Sequence, residues 1–322
     1  MKPNAGEVSH LAPRKPIASE RMSPHRQERS IPGVFRQASP PSGALSAPVV
    51  LDSPHSGAQY PDTFTPRVPL SDLRRVEDAF VDELFGDAPA CGAVLLAAEF
   101  PRSFIDPNRA VDDLDLSMID GAWPYPVAPS EKSRLGHGLI WRSCPSERPM
   151  YDRPLPVEEV ARRIEGYWRP YHEALQDALE AAYARFGAVW HVNCHSMPAS
   201  SSPSIAGRLP GRAARRADFV LGDRDGTTCA PGFTDFVRAE LEEMGYTVRI
   251  NDPYRGAELV RAYGKPGQDR HSLQIEINRG LYMREAALEK TDGFSTLKRD
   301  LARLTQAICD YGLGQTSRAA AE

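Results

Sequence analysis

The chain has few cysteines, and the five present (Cys91, Cys144, Cys194, Cys229 and Cys309) are odd in number, widely scattered and never spaced Cys-x-x-Cys. This excludes a secreted disulfide scaffold and a thiolate zinc knot, and it predicts a reducing, cytoplasmic setting. No apolar stretch approaches the roughly 20 residues of a membrane-spanning helix, so a soluble protein with no membrane partner is expected. An excess of one charge is lacking too. A formal net charge of -4 gives no global attraction to nucleic acid or an anionic bilayer, which leaves a small molecule as the expected partner. No internal repeat is present. With 322 residues, 41% hydrophobic and 25% charged, the chain can build one large domain or two small ones.

Residues 1–47 are rich in Pro, Ser, Arg and Gln and poor in periodic apolar positions, a composition that predicts a disordered leader. Its arginines lack the apolar core of a secretory signal, and Glu7, Glu20 and Glu28 argue against a transit peptide. From Pro48 onward, strand-like runs near 48–54, 92–98, 188–195, 218–222, 246–250 and 272–278 alternate with helical spacing over 71–88, 156–186, 232–244 and 294–311. That is an α/β pattern without an internal linker, so one domain is expected over 48–312 with a flexible tail over 313–322. Pro170 should kink or interrupt the longest helix, whose start offers Pro156 and early acids suited to a helix N terminus. The stretch from Pro198 to Arg216 reads as a long loop beside His195.

Two histidines stand where strand-like runs break into loops: His55 in Leu51-Asp-Ser-Pro-His55-Ser-Gly and His195 in His191-Val-Asn-Cys-His195-Ser-Met-Pro. Loops at the carboxyl ends of strands form the usual ligand crevice of an open α/β sheet, so these distant segments can converge. Strand alternation puts His191, Asn193 and His195 on one side and Val192 and Cys194 on the other; His191, deeper in the strand, reads as a structural or supporting residue. Each histidine alone is equally readable as a turn or core residue. Two neutral imidazoles plus one carboxylate are a common catalytic zinc set that leaves a position for water. Asp78 and Asp82, four apart in the 71–88 run, would share a helical face and repel one another, a repulsion that a cation relieves. A solvated acidic face neutralised by Arg74 and Arg75 is the competing reading. Glu276, between Ile275 and Ile277, reads either as a poised proton acceptor or as half of a buried ion pair with Arg279. Arg102 and Arg109 in Phe100-Pro-Arg-Ser-Phe-Ile-Asp-Pro-Asn-Arg109 have the paired donors that clamp carboxylates, with pairing to Asp106 or Asp112 as the rival.

Over residues 48 to about 290 the chain resembles the N-formylglutamate amidohydrolases. The resemblance runs through Leu51-Asp-Ser-Pro-His-Ser-Gly, Ala98-Glu-Phe-Pro-Arg-Ser-Phe-Ile-Asp-Pro-Asn-Arg, Tyr167-Trp-Arg-Pro-Tyr-His, His191-Val-Asn-Cys-His-Ser-Met-Pro, Asp218-Phe-Val-Leu-Gly-Asp-Arg-Asp-Gly-Thr and Ser272-Leu-Gln-Ile-Glu-Ile-Asn-Arg. That family is in turn similar to zinc carboxypeptidases. The resemblance implies an α/β fold of the phosphorylase/hydrolase-like kind, a three-layer αβα sandwich around a mixed, mostly parallel sheet. It implies one zinc per chain on His55, His195 and a third ligand, Glu276 as general base, and Asn108 with Arg109 as a carboxylate-binding pair. The carboxypeptidase pattern places a glutamate ligand three residues after the first histidine, but Ala58 stands there. Asp78 is therefore assigned as the third ligand, with Asp82 as the alternative.

The implied reaction is hydrolysis of N-formyl-L-glutamate to glutamate and formate, the last step of a histidine degradation route. A substrate with two carboxylates calls for two cationic contacts, assigned to Arg109 and Arg102, with Arg224, Arg279 and Arg208 as further candidates. Asp223 and Asp225 would orient ligands or simply form a turn. Other readings are a related N-acyl amino acid amidohydrolase, a carboxypeptidase-like enzyme, a Cys194 nucleophile beside His195, and a silent binder of acidic small molecules.

Overall fold

The computed structural model describes residues 30–41, 43, 45–144, 148–199 and 216–319. Most of the expected leader and the loop arginine Arg208 lie outside these residues. The frame is a seven-stranded sheet of β1 (Phe35–Ala38), β2 (Val49–Ser53), β3 (Val94–Ala98), β4 (Val189–Met197), β5 (Phe219–Gly222), β6 (Val248–Ile250) and β7 (Arg270–Asn278). Their spatial order is β1-β3-β2-β4-β7-β5-β6. β3, β2, β4 and β7 run parallel, β5 pairs antiparallel to β7 and parallel to β6, and β1 closes the far edge antiparallel to β3. Every residue of β2, β3 and β4 is buried, as expected of interior strands covered on both faces.

The two faces alternate residue by residue. Val50, Val94, Leu96, Ala98 and Val189 form one core with Tyr171, Ala174, Leu175, Ala178 and Leu179 of a helix over Arg169–Phe186. Leu51, Leu95, Trp190, Val192, Cys194, Leu273, Ile275 and Ile277 form the other, against Phe233, Val237 and Leu241 of Pro231–Glu243 and Leu297, Leu301, Leu304 and Ile308 of Gly293–Ala319. Helices thus cover both faces of the sheet, the three-layer αβα arrangement. No helix among the described residues is long and apolar enough to cross a membrane.

Three expectations need correction. The leader does not reach residue 47, because Phe35–Ala38 adds an edge strand with Phe35 opposite Ala98 and Val34 and Phe35 buried. Four residues in a Pro- and Arg-rich background are too short to show a period. The predicted tail from 313 is helical to Ala319, since Tyr311 and Leu313 continue the apolar stripe of the last helix. The run 71–88 is not one helix. It breaks into Leu70–Arg74 and Val81–Leu84, separated by Phe80 in the left-handed region at φ 68°. The long run behaves as expected of Pro170: Val157–Arg163 passes through a π-turn over Ile164–Trp168 before continuing as Arg169–Phe186, which accommodates the N–H that proline lacks.

Candidate active site

β3 lies on one side of β2 and β4 on the other, so the strand order reverses between β2 and β4. A crevice opens at such a reversal, beyond the carboxyl ends of the strands. His55 follows β2 by two residues and His195 lies near the end of β4, which brings both to that crevice. Gly57 lets the His55 loop lie against the end of β3, because a Cβ there would stand 2.3 Å from the Phe100 carbonyl oxygen. The break in the 71–88 run has a function as well. It frees the Asp78 N–H to donate to the His55 carbonyl at 2.9 Å, which turns the Asp78 side chain inward.

The structure brings His55, Asp78 and His195, all buried, into one cluster with one ligand atom from each within 4.8 Å of the others. Asp78 Oδ2 lies 2.9 Å from His195 Nδ1 and 3.5 Å from His55 Nδ1. Asp82 goes elsewhere, to an ion pair with Arg36. Burial pushes the Asp78 carboxyl up, but the two imidazoles beside it outweigh burial and hold the group well below its ordinary value. Arg279 makes the same carboxylate rigid: its Nη2 donates to Asp78 Oδ1 at 3.0 Å, and the rest of its guanidinium is spent on Ser196 Oγ and the Arg75 and Glu77 carbonyls. Arg279 therefore pairs with Asp78 rather than with Glu276.

The polar groups behind the histidines bear on their tautomers. His55 Nε2 donates to Asp106 Oδ1 at 2.7 Å, which leaves Nδ1 with a lone pair; that buried nitrogen has no hydrogen-bond partner and faces a carboxylate. His195 Nε2 lies 2.8 Å from Asn193 Oδ1, whose orientation is set by Asn193 Nδ2 donating to Asp52 Oδ1 at 2.7 Å. His195 Nε2 also lies 3.0 Å from the Asn108 Nδ2 donor, so with the proton on Nε2 its Nδ1 presents a lone pair to Asp78, and with the proton on Nδ1 that N–H donates to Asp78. In the first state two imidazole lone pairs and a carboxylate oxygen converge in a buried space and repel one another until a cation sits between them, so this donor set fits a single divalent ion.

Glu276 stands beside His195 in the β4–β7 register. Burial raises its carboxyl above the ordinary value, aided by the Asp78 charge and opposed by His195, Arg102 and Arg279, and Gln274 Nε2 donates to its Oε1 at 2.8 Å. Such a carboxylate is matched to taking a proton from water. Asn108 is engaged at both ends, its Oδ1 accepting the Leu259 N–H at 2.9 Å and its Nδ2 lying 3.0 Å from His195 Nε2. Arg102 donates to Asp106 Oδ2 at 3.0 Å, the ion pair named above as the rival reading. Arg109 is held by the His137 and Asn108 carbonyls, and no carboxylate among the described residues pairs with its guanidinium. Burial pulls its pKa down, against the charge of Asp106. A half-buried guanidinium without an ion-pair partner, one residue from Asn108, is suited to an incoming carboxylate.

Three residues of this arrangement carry no role in the sequence reading: Asp52, Asp106 as the partner of His55, and Arg279 as the brace of Asp78. Asp52 is buried and accepts from Tyr171, His191 and Asn193. Its only sequence signal is an acid inside an otherwise apolar strand. His191, between Ser272 Oγ and Asp52, has the structural place expected. Asp223 accepts from Gly226, Thr234 and Asn251, and Arg224 donates to the Gly256 carbonyl, so that segment organises its own turn. Cys194 points into the opposite core, where burial raises its thiol well above the ordinary value.

A buried His–His–Asp cluster at the reversal point of a mixed α/β sandwich, with an acid alongside and arginines nearby, defines a hydrolase-type α/β protein with a candidate metal site. The N-formylglutamate amidohydrolase family model matches residues 47–283. The chain is 52% identical to the crystal structure of N-formylglutamate amidohydrolase from Ralstonia eutropha JMP134, with a TM-score of 0.82 over 87% of this chain and 98% of that one. It is 29% identical over 265 residues to the N-formylglutamate deformylase of Pseudomonas putida, covering 81% of this chain and 89% of that protein. A more distant structure from Agrobacterium tumefaciens, 18% identical at a TM-score of 0.56, shares the fold. The chain belongs to the N-formylglutamate amidohydrolase family.

Proposed function

We propose that this protein hydrolyses N-formyl-L-glutamate to L-glutamate and formate, with one zinc ion per chain held by His55, Asp78 and His195, at the end of a cytoplasmic histidine degradation route. The observation that carries the reading is the partnerless His55 Nδ1 facing Asp78 and His195, with Glu276 on the adjoining strand. The described fold from β1 to the last helix is read as one catalytic domain.

The ion supplies a Lewis acid for the formyl oxygen and makes water a better nucleophile near neutral pH. Glu276 takes a proton from the attacking water as the new C–O bond forms. It then delivers that proton to the amide nitrogen as the C–N bond breaks, so glutamate leaves as an amine and the formyl carbon leaves as formate. Asp106 holds His55 in the tautomer that keeps its Nδ1 available, and Asn193 accepts from His195 Nε2 when the Nδ1 of that imidazole is available too. Arg109 holds a substrate carboxylate, with Arg102 supporting it and Asn108 serving from its place against His195.

The test is formate release by the purified protein from N-formylglutamate, N-formylglutamine, N-formylmethionine and N-acetylglutamate. The account predicts the highest kcat/KM for N-formylglutamate. A preference for the acetyl compound would replace this reading with that of a general N-acyl amidohydrolase, and no hydrolysis of any of the four would leave a binding protein.

A further inference from the structure

Resting on the reading above, we propose that Lys132, His137 and Trp141 form, around Arg102, a receptor for the second carboxylate of the substrate, distinct from the one Arg109 holds. Trp141 is 4% exposed, yet its indole Nε1 has no hydrogen-bond partner, and His137 Nε2 is buried and likewise without one. These two ring nitrogens belong to neighbouring side chains. The rings lie 4.9 Å apart across a β-bridge between residues 137 and 141, and the Arg102 guanidinium sits 5.3 Å from the centre of the Trp141 ring. An indole N–H left unpaired in a protein interior is destabilising unless something accepts from it, and the guanidinium over the same ring favours an anion as the acceptor.

The same patch links directly to the reacting centre. Arg109 Nε donates to the His137 carbonyl at 3.0 Å, the His137 N–H donates to the Lys132 carbonyl at 2.8 Å, and Arg102 shares Asp106 with His55. The three cations are close enough to act on one another and on the imidazole. Burial first, then Lys132, Arg102 and Arg109, pull the His137 pKa down to about 4, and burial with the two arginines lowers that of Lys132. The acids nearby have other partners. Asp113 accepts from the Ser130 N–H and hydroxyl, and Glu258 makes a bidentate pair with Arg261. Lys132, which is exposed, and Arg109 have no paired carboxylate among the described residues, so both cations are available to a ligand with two carboxylates. Arg109, next to the Asn108 that touches His195, takes the carboxylate nearer the scissile amide, and Lys132 with the Trp141 N–H beside His137 takes the distal one.

The experiment compares wild type with Lys132→Met, which removes a partly exposed charge, and Trp141→Phe, which keeps a ring and removes only the donor. In each, kcat/KM is measured for N-formylglutamate and N-formylmethionine, and binding of glutarate and butyrate is measured by calorimetry, after thermal melts show both variants folded. The receptor predicts that wild type binds glutarate more tightly than butyrate. Each variant should lose about tenfold or more of its preference for the dicarboxylate and for N-formylglutamate, the scale of one hydrogen bond to a charged group. Equal losses on the acidic and neutral compounds, or an unchanged preference in Lys132→Met, would overturn it. Wild type that binds glutarate through Lys132 yet releases no formate would sink the deformylase reading and leave the receptor standing.

Discussion

Replacing Asp106 by asparagine keeps the shape of the side chain and removes its charge. The carboxylate is fully buried and accepts from His55 Nε2 at 2.7 Å and the Asn108 N–H at 2.9 Å on Oδ1, and from Arg102 Nη2 at 3.0 Å on Oδ2. Burial alone would push its pKa up, but His55, Arg102 and Arg109 beside it hold it well below the ordinary value. An asparagine has one oxygen for these two sides. If it faces His55 and Asn108, its amide NH₂ meets the Arg102 guanidinium, and a mostly buried cation loses its only ion pair among the described residues. Losing a hydrogen bond to a charged group costs about 1.5–3 kcal/mol, so Asp106→Asn should destabilise the metal-free protein by roughly 3 kcal/mol in urea denaturation. A neutral amide is also a weaker acceptor for His55, which makes Nδ1 less basic, and lost support behind a metal-ligating histidine typically costs 10–100-fold in metal affinity. Competition with a chromophoric chelator measures that affinity for zinc. An Asp106→Asn protein that binds zinc as tightly as wild type would refute the idea that this carboxylate orients a ligand.

Further outcomes follow from the same geometry. Glu276→Gln should retain zinc and fold while kcat falls by about 10²-fold or more, the scale of lost general-base assistance; loss of zinc instead would make Glu276 a ligand. Arg109→Lys keeps the charge but loses the planar fork, so kcat/KM should fall, and an unchanged value for both N-formylglutamate and N-formylglutamine would remove Arg109 from the site. His172, whose Nε2 donates to the Pro107 carbonyl, is pulled down by burial to about 4 from its usual 6.5. The unfolded chain therefore protonates it first, so its stabilisation is complete above pH 6.5 and is lost as pH falls toward 4, about 2 kcal/mol by pH 5. Urea denaturation at pH 7.5 and 5 should show that loss in wild type and a smaller one in His172→Gln; equal losses would show that His172 is not the titrating group.

The sequence exposes the sheet better than the connections. β3 is apolar on both faces, and β2 and β4 carry apolar residues along one face between flanking Pro and Gly, so their positions are plain from composition. The alternation within β4 also separates His191, Asn193 and His195 from Val192 and Cys194 in the sequence itself. What it cannot show is where a helical period stops. The spacing through 71–88 continues across Phe80, whose left-handed backbone reverses the chain and sends Asp78 inward while Asp82 goes to Arg36. Ion-pair partners are likewise set by tertiary placement. Arg279 stands three residues from Glu276 yet braces Asp78, some 200 residues away in the chain. Asp52 is visible only as an acid in an apolar strand, because its three donors come from a helix and a neighbouring strand.

The central claim, that His55, Asp78 and His195 together hold a zinc ion on which turnover of N-formylglutamate depends, is tested most directly by stripping the protein with a chelator and titrating zinc back while following formate release. The account predicts negligible activity in the stripped protein, recovery that saturates at about one zinc per chain, and no recovery in Asp78→Ala at the same zinc concentration. Full activity in protein shown by elemental analysis to contain no metal would contradict it.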